Sequence, residues 1–461
     1  MSALVSFAAL FASIFLVQLG SGSLGPLDAL GATARGFSLS EIGVMGSAHF
    51  AGFLVGCFLA PRLIGTVGHS RVFAAAAAIG AVGALMHPVL PDPLAWAGLR
   101  LLTGIAIAVA YTVIESWLQA KTANRDRGRV YGIFRVIDLT GQIAAQGMVA
   151  VLDPASFVAY NVVAMFCCLC LLPLALSRRV APATPSAPRL RPLAAWRLSP
   201  AAVAGVLVAA LSGAAFRMVG PVYAQANGLQ TSQIALFLGA AMVGGALAQW
   251  PVGWLADRYD RRHVLIAVAV VAAASCAFAA HGATGGPPQT LYLASALFGA
   301  TAFPLYSLAA TYANDYAAPD FVVDLNASLI FYFSLGAIAA PTVAAELIDL
   351  AGPGAMFDMI GAAHLCLVAF ALYRATRRRG AAASAPYAYV PRTSMVLARL
   401  FRTRLGPGPG APVDTEAPGS PARPAPDAAP APARETSRQT PVETSPETPP
   451  ETPRDTTRDP S

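Results

Sequence analysis

Apolar runs, each close to the ~20 residues a helix needs to cross a ~30 Å hydrocarbon core, recur along the chain as far as Tyr373. They predict spans over Leu4–Leu27, Ile42–Leu63, Val72–Leu90, Leu94–Leu118, Val130–Leu152 and Phe157–Leu176. A second set follows over Ala201–Tyr223, Ile234–Leu255, Val264–Ala280, Leu291–Ala313, Leu325–Leu347 and Ala355–Tyr373. The polar breaks are short except Arg178–Pro200, where Pro182, Pro185, Pro188, Pro192 and Pro200 predict a flexible linker. The pattern predicts an all-α polytopic membrane protein, with 12 transmembrane helices as two six-helix pseudo-symmetric halves. Its parts are an N-terminal bundle (1–177), a cytoplasmic linker (178–200), a C-terminal bundle (201–376) and a cytoplasmic, largely disordered tail (377–461).

The first run lacks a basic start and exceeds the ~7–15 residues of a signal-peptide core, so it reads as a retained helix. Beyond Tyr373 the pattern ends in the basic cluster Arg377–Arg379. A short basic helix over Arg392–Leu405 could lie on the inner leaflet. From Gly406 the chain is Pro, Ala, Thr, Glu and Arg, with a loose repeat starting at Glu443, Glu447 and Glu451; such a composition predicts disorder.

Composition agrees: 56% of residues are hydrophobic and only 12% charged, too few charges for a soluble surface of this length. The basic residues set the orientation. With a cytoplasmic N-terminus, the inner loops hold Arg62, Arg71, Lys121, Arg125, Arg127, Arg129, Arg178, Arg179, Arg189, Arg191 and Arg197. They continue with Arg258, Arg261, Arg262, Arg374, Arg377, Arg378 and Arg379, whereas the outer loops hold only Arg35. Both termini are therefore expected inside. The net charge of +7 fits an anionic inner leaflet and needs no nucleic-acid partner. All six cysteines fall inside spans; Cys167, Cys168 and Cys170 spread around a helix without a nearby His or acid, so no metal site is expected.

An ionisable side chain within hydrocarbon is costly and marks a candidate for function. Arg100 in the fourth span either faces the central cavity, the preferred reading, or snorkels to the headgroups. Glu115 lies near the inner end of the same helix. Arg135 and Asp138 share one face of the fifth, where Gln142 and Gln146 continue a polar stripe. A Glu115–Arg135 ion pair would leave Asp138 as the proton carrier. Arg217, toward the outer end of the seventh span, would join Arg100 in drawing an anionic group inward. His49 and His364 read as packing residues. Pro304 predicts a kink, from which Tyr306 would stack on a substrate. Aromatic residues (Tyr111, Phe134, Phe216, Tyr223, Tyr306, Tyr332) would line the path.

The loop from Gly253 to Arg262, GWLADRYDRR, places an Asp and three Arg between two apolar runs. It resembles the loop signature of the major facilitator superfamily, roughly G-x-L-A-D-R-x-G-R-R, with Gly253, Asp257, Arg258, Arg261 and Arg262 on matching positions and Asp260 where that family has Gly. Arg100 with Gly104 resembles the family's R-x-x-x-G pattern. The Asp-less first-half loop Leu63–Ala74, ESWL at Glu115, Phe303–Asp315 and PRTS at Pro391–Ser394 resemble the YcaD-like branch. The resemblance implies a bacterial inner-membrane permease, multi-pass and monomeric, that works by alternating access with the Asp257 loop as inner gate. The residues favour ion-coupled uptake, with a proton or another ion, of a small anionic or aromatic solute, and the branch does not fix the substrate. Drug or metabolite efflux by proton antiport, or a transporter-like receptor, are the alternatives. No cofactor is expected. A membrane enzyme lacks a catalytic constellation, and ATP-driven transport lacks a Walker-type loop.

Overall fold

The computed structural model describes residues 2–122, 127–176, 189–318 and 320–377. The tail with its proposed basic helix and PRTS piece, and most of the linker, lie outside the described residues. Every regular element among the described residues is helical. In order these are α1 (Ser2–Ala34), α2 (Leu39–Val67), α3 (His69–Met86), α4 (Pro93–Lys121), α5 (Arg127–Val151), α6 (Phe157–Leu169), α7 (Leu171–Ala175) and α8 (Pro192–Leu198). They continue as α9 (Pro200–Ala226), α10 (Thr231–Arg258), α11 (Arg261–Ala277) with a π turn (Phe278–Gly282), α12 (Pro288–Ala302), α13 (Leu305–Asn314), α14 (Val322–Ala351) and α15 (Ala355–Arg377).

Eleven helical segments among the described residues are long and apolar enough to cross a membrane, counting α6–α7, α11 with its π turn, and α12–α13 as one each. The twelfth long helix is α5. Arg135, Asp138, Gln142 and Gln146 lower its hydropathy, yet its 25 residues extend about 37 Å, and it packs between α1 and α10. The all-helical membrane architecture expected from the sequence is present, and eleven apolar spans together with α5 are consistent with twelve.

Local chemistry sets the ends. Ser38 and Glu41 form a capping box on α2 after Gly36 turns with φ of 80°. Asp92 caps α4 ahead of Pro93, Ser156 caps α6, and Asp260 caps α11. The kink expected at Pro304 is a full break: α12 stops at Ala302 and α13 begins at Leu305. The last part of the linker, predicted to be flexible, is docked. Arg189 and Arg191 donate backbone N–H groups to Asp324 and Ser328 of α14, and Trp196 stacks on Phe370.

The repeat is visible at atomic contacts. Gly25-Pro26-Leu27-Asp28-Ala29 in α1 matches Gly220-Pro221-Val222-Tyr223-Ala224 in α9. In the first half, a Cβ on Gly52 (α2) would lie 1.9 Å from the Leu101 carbonyl oxygen of α4, and one on Gly104 (α4) 2.1 Å from that of His49. In the second, Gly244 (α10) meets Ala296 of α12 at 2.1 Å, and Gly299 (α12) meets Ala241 at 1.9 Å. The same two crossings thus occur twice, each needing a residue without a side chain.

The halves meet along α2 and α14: toward the linker end Phe53, Cys57 and Ala108 share a buried cluster with Ala327 and Ile330, and the contacts continue to the end that carries the turns at Gly36, Gly228, Gly285 and Gly352. Ser40 bonds Glu346 there, and Ser47 and Thr342 share a 2.7 Å hydrogen bond between α2 and α14. First-half apolar residues toward this Gly36 end, such as Leu27, Met45 and Trp96, belong to the same buried cluster as the second-half core. Those toward the opposite, linker end, such as Ile14, Phe73 and Phe134, form a separate cluster within the first half.

Gly104→Ala therefore drives a methyl into the His49 carbonyl and is expected to lower stability by roughly 1–3 kcal/mol. Gly98→Ala, where a Cβ meets open space on the same helix, is expected to be neutral or slightly stabilising. Melting temperatures of the two purified variants check the ordering, and equal values would contradict it.

Candidate functional site

Two buried polar clusters lie in the first half. The first is centred on Asp138, which is buried. Its Oδ1 accepts from Gln18 Nε2 of α1 at 2.6 Å and from the Tyr111 hydroxyl of α4 at 2.7 Å. Its Oδ2 accepts from Arg135 Nη1 at 2.7 Å and from Gln142 Nε2 at 3.3 Å. Gln146 Nε2 continues the stripe toward the Gly22 carbonyl of α1 at 3.5 Å. One carboxyl thus ties three helices together. Glu115, fully buried, lies one turn beyond Tyr111 on α4. Arg135 is bonded to Asp138, so Asp138 is not the carboxyl that a Glu115–Arg135 pair would have left alone.

The second cluster surrounds Asp28, which the sequence reading missed. Asp28, His87 and Arg100 are all buried. Asp28 Oδ2 lies 3.3 Å from Arg100 Nη1 and 3.4 Å from His87 Nε2. His87 stacks on Tyr160 of α6 with centroids 5.6 Å apart, and Trp96 meets the His87 ring edge-on at 4.9 Å. The Arg100 Nη2 reaches Met218 Sδ of α9 at 3.5 Å. Arg100 is therefore neither a bare charge facing the cavity nor a snorkelling one; it is ion-paired within the first half. The charge at Asp28 interrupts the apolar run after Leu27, but Gly31 keeps helical backbone and the first turn with positive φ is at Gly36. α1 therefore continues to Ala34 and carries Asp28 inside. The uninterrupted stretch ALGATAR after Asp28 was the available signal.

The repeat makes this cluster one-sided. Matching positions in the second half hold Tyr223 for Asp28 and Ser295 for Arg100, with Ala279 and Phe357 near the places of His87 and Tyr160. Tyr223 donates to the Ala279 carbonyl at 2.6 Å, in the π turn, and packs edge-on against Phe357. Ser295 donates to the Phe237 carbonyl.

Other expected residues sit as follows. Arg217 is exposed on α9, next to the buried Met218. His364 is buried and its Nδ1 lies 2.9 Å from the Ile360 carbonyl, as a packing residue would. The expected aromatic lining is corrected: Phe216 and Tyr223 are in the ring-filled core of the second half with Phe237, Phe298 and Phe357. Phe134 is fully buried, Tyr111 is taken by Asp138, Tyr306 is buried against Phe333, and Tyr332 bonds the Pro192 carbonyl. No group of His, Cys, Asp and Glu able to hold a metal occurs among the described residues.

At the linker end, Gly253 is buried in α10 and Arg258 lies over the Trp254 ring. Arg261 reaches Asp257 at 3.4 Å and forms a closer pair with Asp315, beyond α13. Arg262 approaches the Tyr312 hydroxyl at 3.4 Å and the Ala375 carbonyl at 3.5 Å. These contacts bind α10, α11, α13 and α15 within the second half.

Long apolar helices arranged as a two-fold repeat around buried polar clusters define a polytopic membrane protein. The chain belongs to the Major Facilitator Superfamily, whose family model matches residues 10–203 and again residues 202–406. Within it the chain falls in the YcaD-like group. It is 26% identical over 356 residues to the "Uncharacterized MFS-type transporter YcaD" of Escherichia fergusonii, covering 76% of this chain and 91% of the relative. A Yersinia pestis (strain Pestoides F) "Uncharacterized MFS-type transporter" is 28% identical over 360 residues, covering 76% and 89%. The fold is similar to a mutant form of the nucleoside transporter NupG, with a TM-score of 0.70 at 15% identity over 79% of this chain and 98% of that one. It is also similar to a D-xylose-proton symporter, with a TM-score of 0.59 at 15% identity over 85% and 98%. The protein is a multi-pass transporter of the bacterial inner-membrane type.

The Asp315 side chain is only 4% exposed, against 45% for Asp257. Asp315→Asn is expected to lower stability by about 3–5 kcal/mol, the scale for breaking a buried pair, and Asp257→Asn by less than about 1 kcal/mol. Thermal denaturation in detergent measures both; the reverse ranking would contradict the geometry.

Proposed function

We propose that this transporter takes up a small organic solute, anionic or aromatic, by alternating access coupled to a proton. The observation that carries the reading is the Asp138 junction. A carboxyl buried in a membrane bundle, with Gln18, Tyr111, Arg135 and Gln142 around it, joins three helices of one half. A carboxyl so placed is a candidate for the coupling site. Residues 1–177 and 201–376 are the moving halves, the linker 178–200 joins them, and the tail 377–461 lies outside the transport body. The loop from Gly253 to Arg262, with Asp257, forms the inner gate.

The basic residues crowd the linker end, which supports a cytoplasmic position for that end and for both termini. The contacts that join α2 to α14 near the Gly36 end then lie on the outer side. Exposed Arg217, beside Met218 and its contact to Arg100, supplies a positive charge for an anionic group. By their titles, one neighbour of similar fold is a nucleoside transporter and another a D-xylose-proton symporter, so nucleosides, pentoses and aromatic carboxylates are the first solutes to test.

Proteoliposomes holding the purified protein, with an inward proton gradient imposed, are expected to accumulate one of labelled uridine, D-xylose or benzoate. Asp138→Asn is expected to slow gradient-driven accumulation about tenfold or more, equivalent to at least ~1.4 kcal/mol in a barrier, while exchange without a gradient persists. Accumulation that is equally fast in the variant would overturn the coupling role of Asp138.

A further inference from the structure

A side chain of the second half plugs the first. Met218 of α9 reaches Arg100 of α4 at 3.5 Å. A Cβ on Gly46 of α2 would lie 2.8 Å from Met218 Cγ, and one on Gly25 of α1 3.7 Å from its Sδ. Met218 thus closes the space between three first-half helices toward the Gly36 end. Two basic side chains sit on the linker side of this plug. His49 follows Gly46 by one turn of α2, and Arg217 precedes Met218 in α9. Each lies about 15 Å along its helix from the Gly36 end, at a rise of about 1.5 Å per residue. From Ser212 to Ala224 every residue of α9 except Arg217 is buried. A helix that faces lipid exposes side chains at every turn, so Arg217 opens into a space inside the protein. His49 is half-buried, and the charge of Arg217 acts on it across the gap between the halves. Its ring also hydrogen-bonds the Arg100 backbone, at the crossing where a Cβ on Gly104 would meet the His49 carbonyl. The Arg100 N–H is used inside α4, so the partner is the carbonyl, which only accepts. One ring nitrogen therefore donates, and in the neutral ring the other is an acceptor.

We propose that His49 and Arg217 form the solute site and select hydroxy acids: the carboxylate pairs with Arg217, and the hydroxyl donates to His49. The inference rests on reading the protein as a carrier of an anionic solute. It adds a second group that the solute must carry and the residue that reads it. A guanidinium presents a fork of donors that matches a carboxylate. The acceptor nitrogen of His49 repels an anion's lone pairs and accepts from a hydroxyl. An acid without the hydroxyl leaves that nitrogen unpaired once the site closes over it. Such a penalty lets a polar site reject an analogue that lacks one hydroxyl. His49 and Arg217 belong to opposite halves, so one bound solute touches both, with Met218 as the roof above it.

Equilibrium binding to the purified protein in detergent tests this without a gradient and without transport. Titration calorimetry compares the hydroxybenzoates, mandelate and lactate with their deoxy partners benzoate, phenylacetate and propionate. At least one hydroxy acid is expected to bind about tenfold or more tightly than its deoxy partner. Arg217→Gln abolishes binding of both members of that pair. In His49→Phe the two acids bind alike, whereas His49→Gln, which keeps an acceptor, retains part of the preference. Where His49→Phe does not fold, His49→Leu takes its place, and a wild type without the preference overturns the proposal by itself. Failure of every hydroxy acid to bind, binding that survives Arg217→Gln, or a preference that survives His49→Phe also overturns it. Hydroxy-acid binding in a protein whose uptake ignores the proton gradient leaves the site standing and ends the coupled-transport reading instead. Gradient-driven accumulation of uridine or D-xylose, with no hydroxy acid bound, ends the site and leaves coupled transport standing.

Discussion

Hydrocarbon solvates no charge, so every ionised group inside this bundle has to find its partner within the protein. Three pairings answer that constraint, and each ties helices together. Asp28 with Arg100 and His87 joins α1, α4 and the end of α3. Asp138 joins α1, α4 and α5 through Gln18, Tyr111 and Arg135. Arg261 joins α11 to Asp315 beyond α13. Removing either member of such a pair leaves a buried charge unmatched. The pairs therefore fix which helices move together more firmly than apolar contact does, since lipid tails offer the same apolar contact.

The repeat supplies the scaffold on which those charges are unequal. Gly52 and Gly104 in the first half, and Gly244 and Gly299 in the second, bring paired helices to within backbone contact. Around these matching crossings the first half carries Asp28 and Arg100 where the second carries Tyr223 and Ser295. Around these crossings the second half is packed with rings about Phe216, whereas the first carries the buried Asp28 and Arg100 pair.

Much of the fold was legible in the sequence, because a span of about 20 apolar residues has few other readings. Even α5 was recognised despite Arg135 and Asp138, since apolar residues frame them. The loop at Asp257 was legible from its resemblance, and Asp260 proved to act as a helix cap rather than as a turn. Asp28 was lost because the run was ended where hydrophobicity stopped, whereas the helix ended where the backbone turned at Gly36. The aromatic lining failed for a different reason. In a membrane protein an apolar side chain is equally at home against lipid or in the core, so hydropathy does not reveal which way Phe216 or Tyr223 faces. Partners of buried charges were illegible for a related reason, since Gln18 and Asp138 are far apart in sequence and meet only through packing.

The central claim is that two rigid halves exchange closure between the ends of the bundle. Distances between spin labels test it most directly, in a background with the six native cysteines replaced. One pair, at Asp153 and Thr284, spans the Gly36 end, and the other, at Thr66 and Tyr259, spans the linker end; all four residues are exposed. On acidification the account predicts that the two distances change in opposite senses, one end opening as the other closes. Two distances that stay fixed, or that lengthen together, would contradict it.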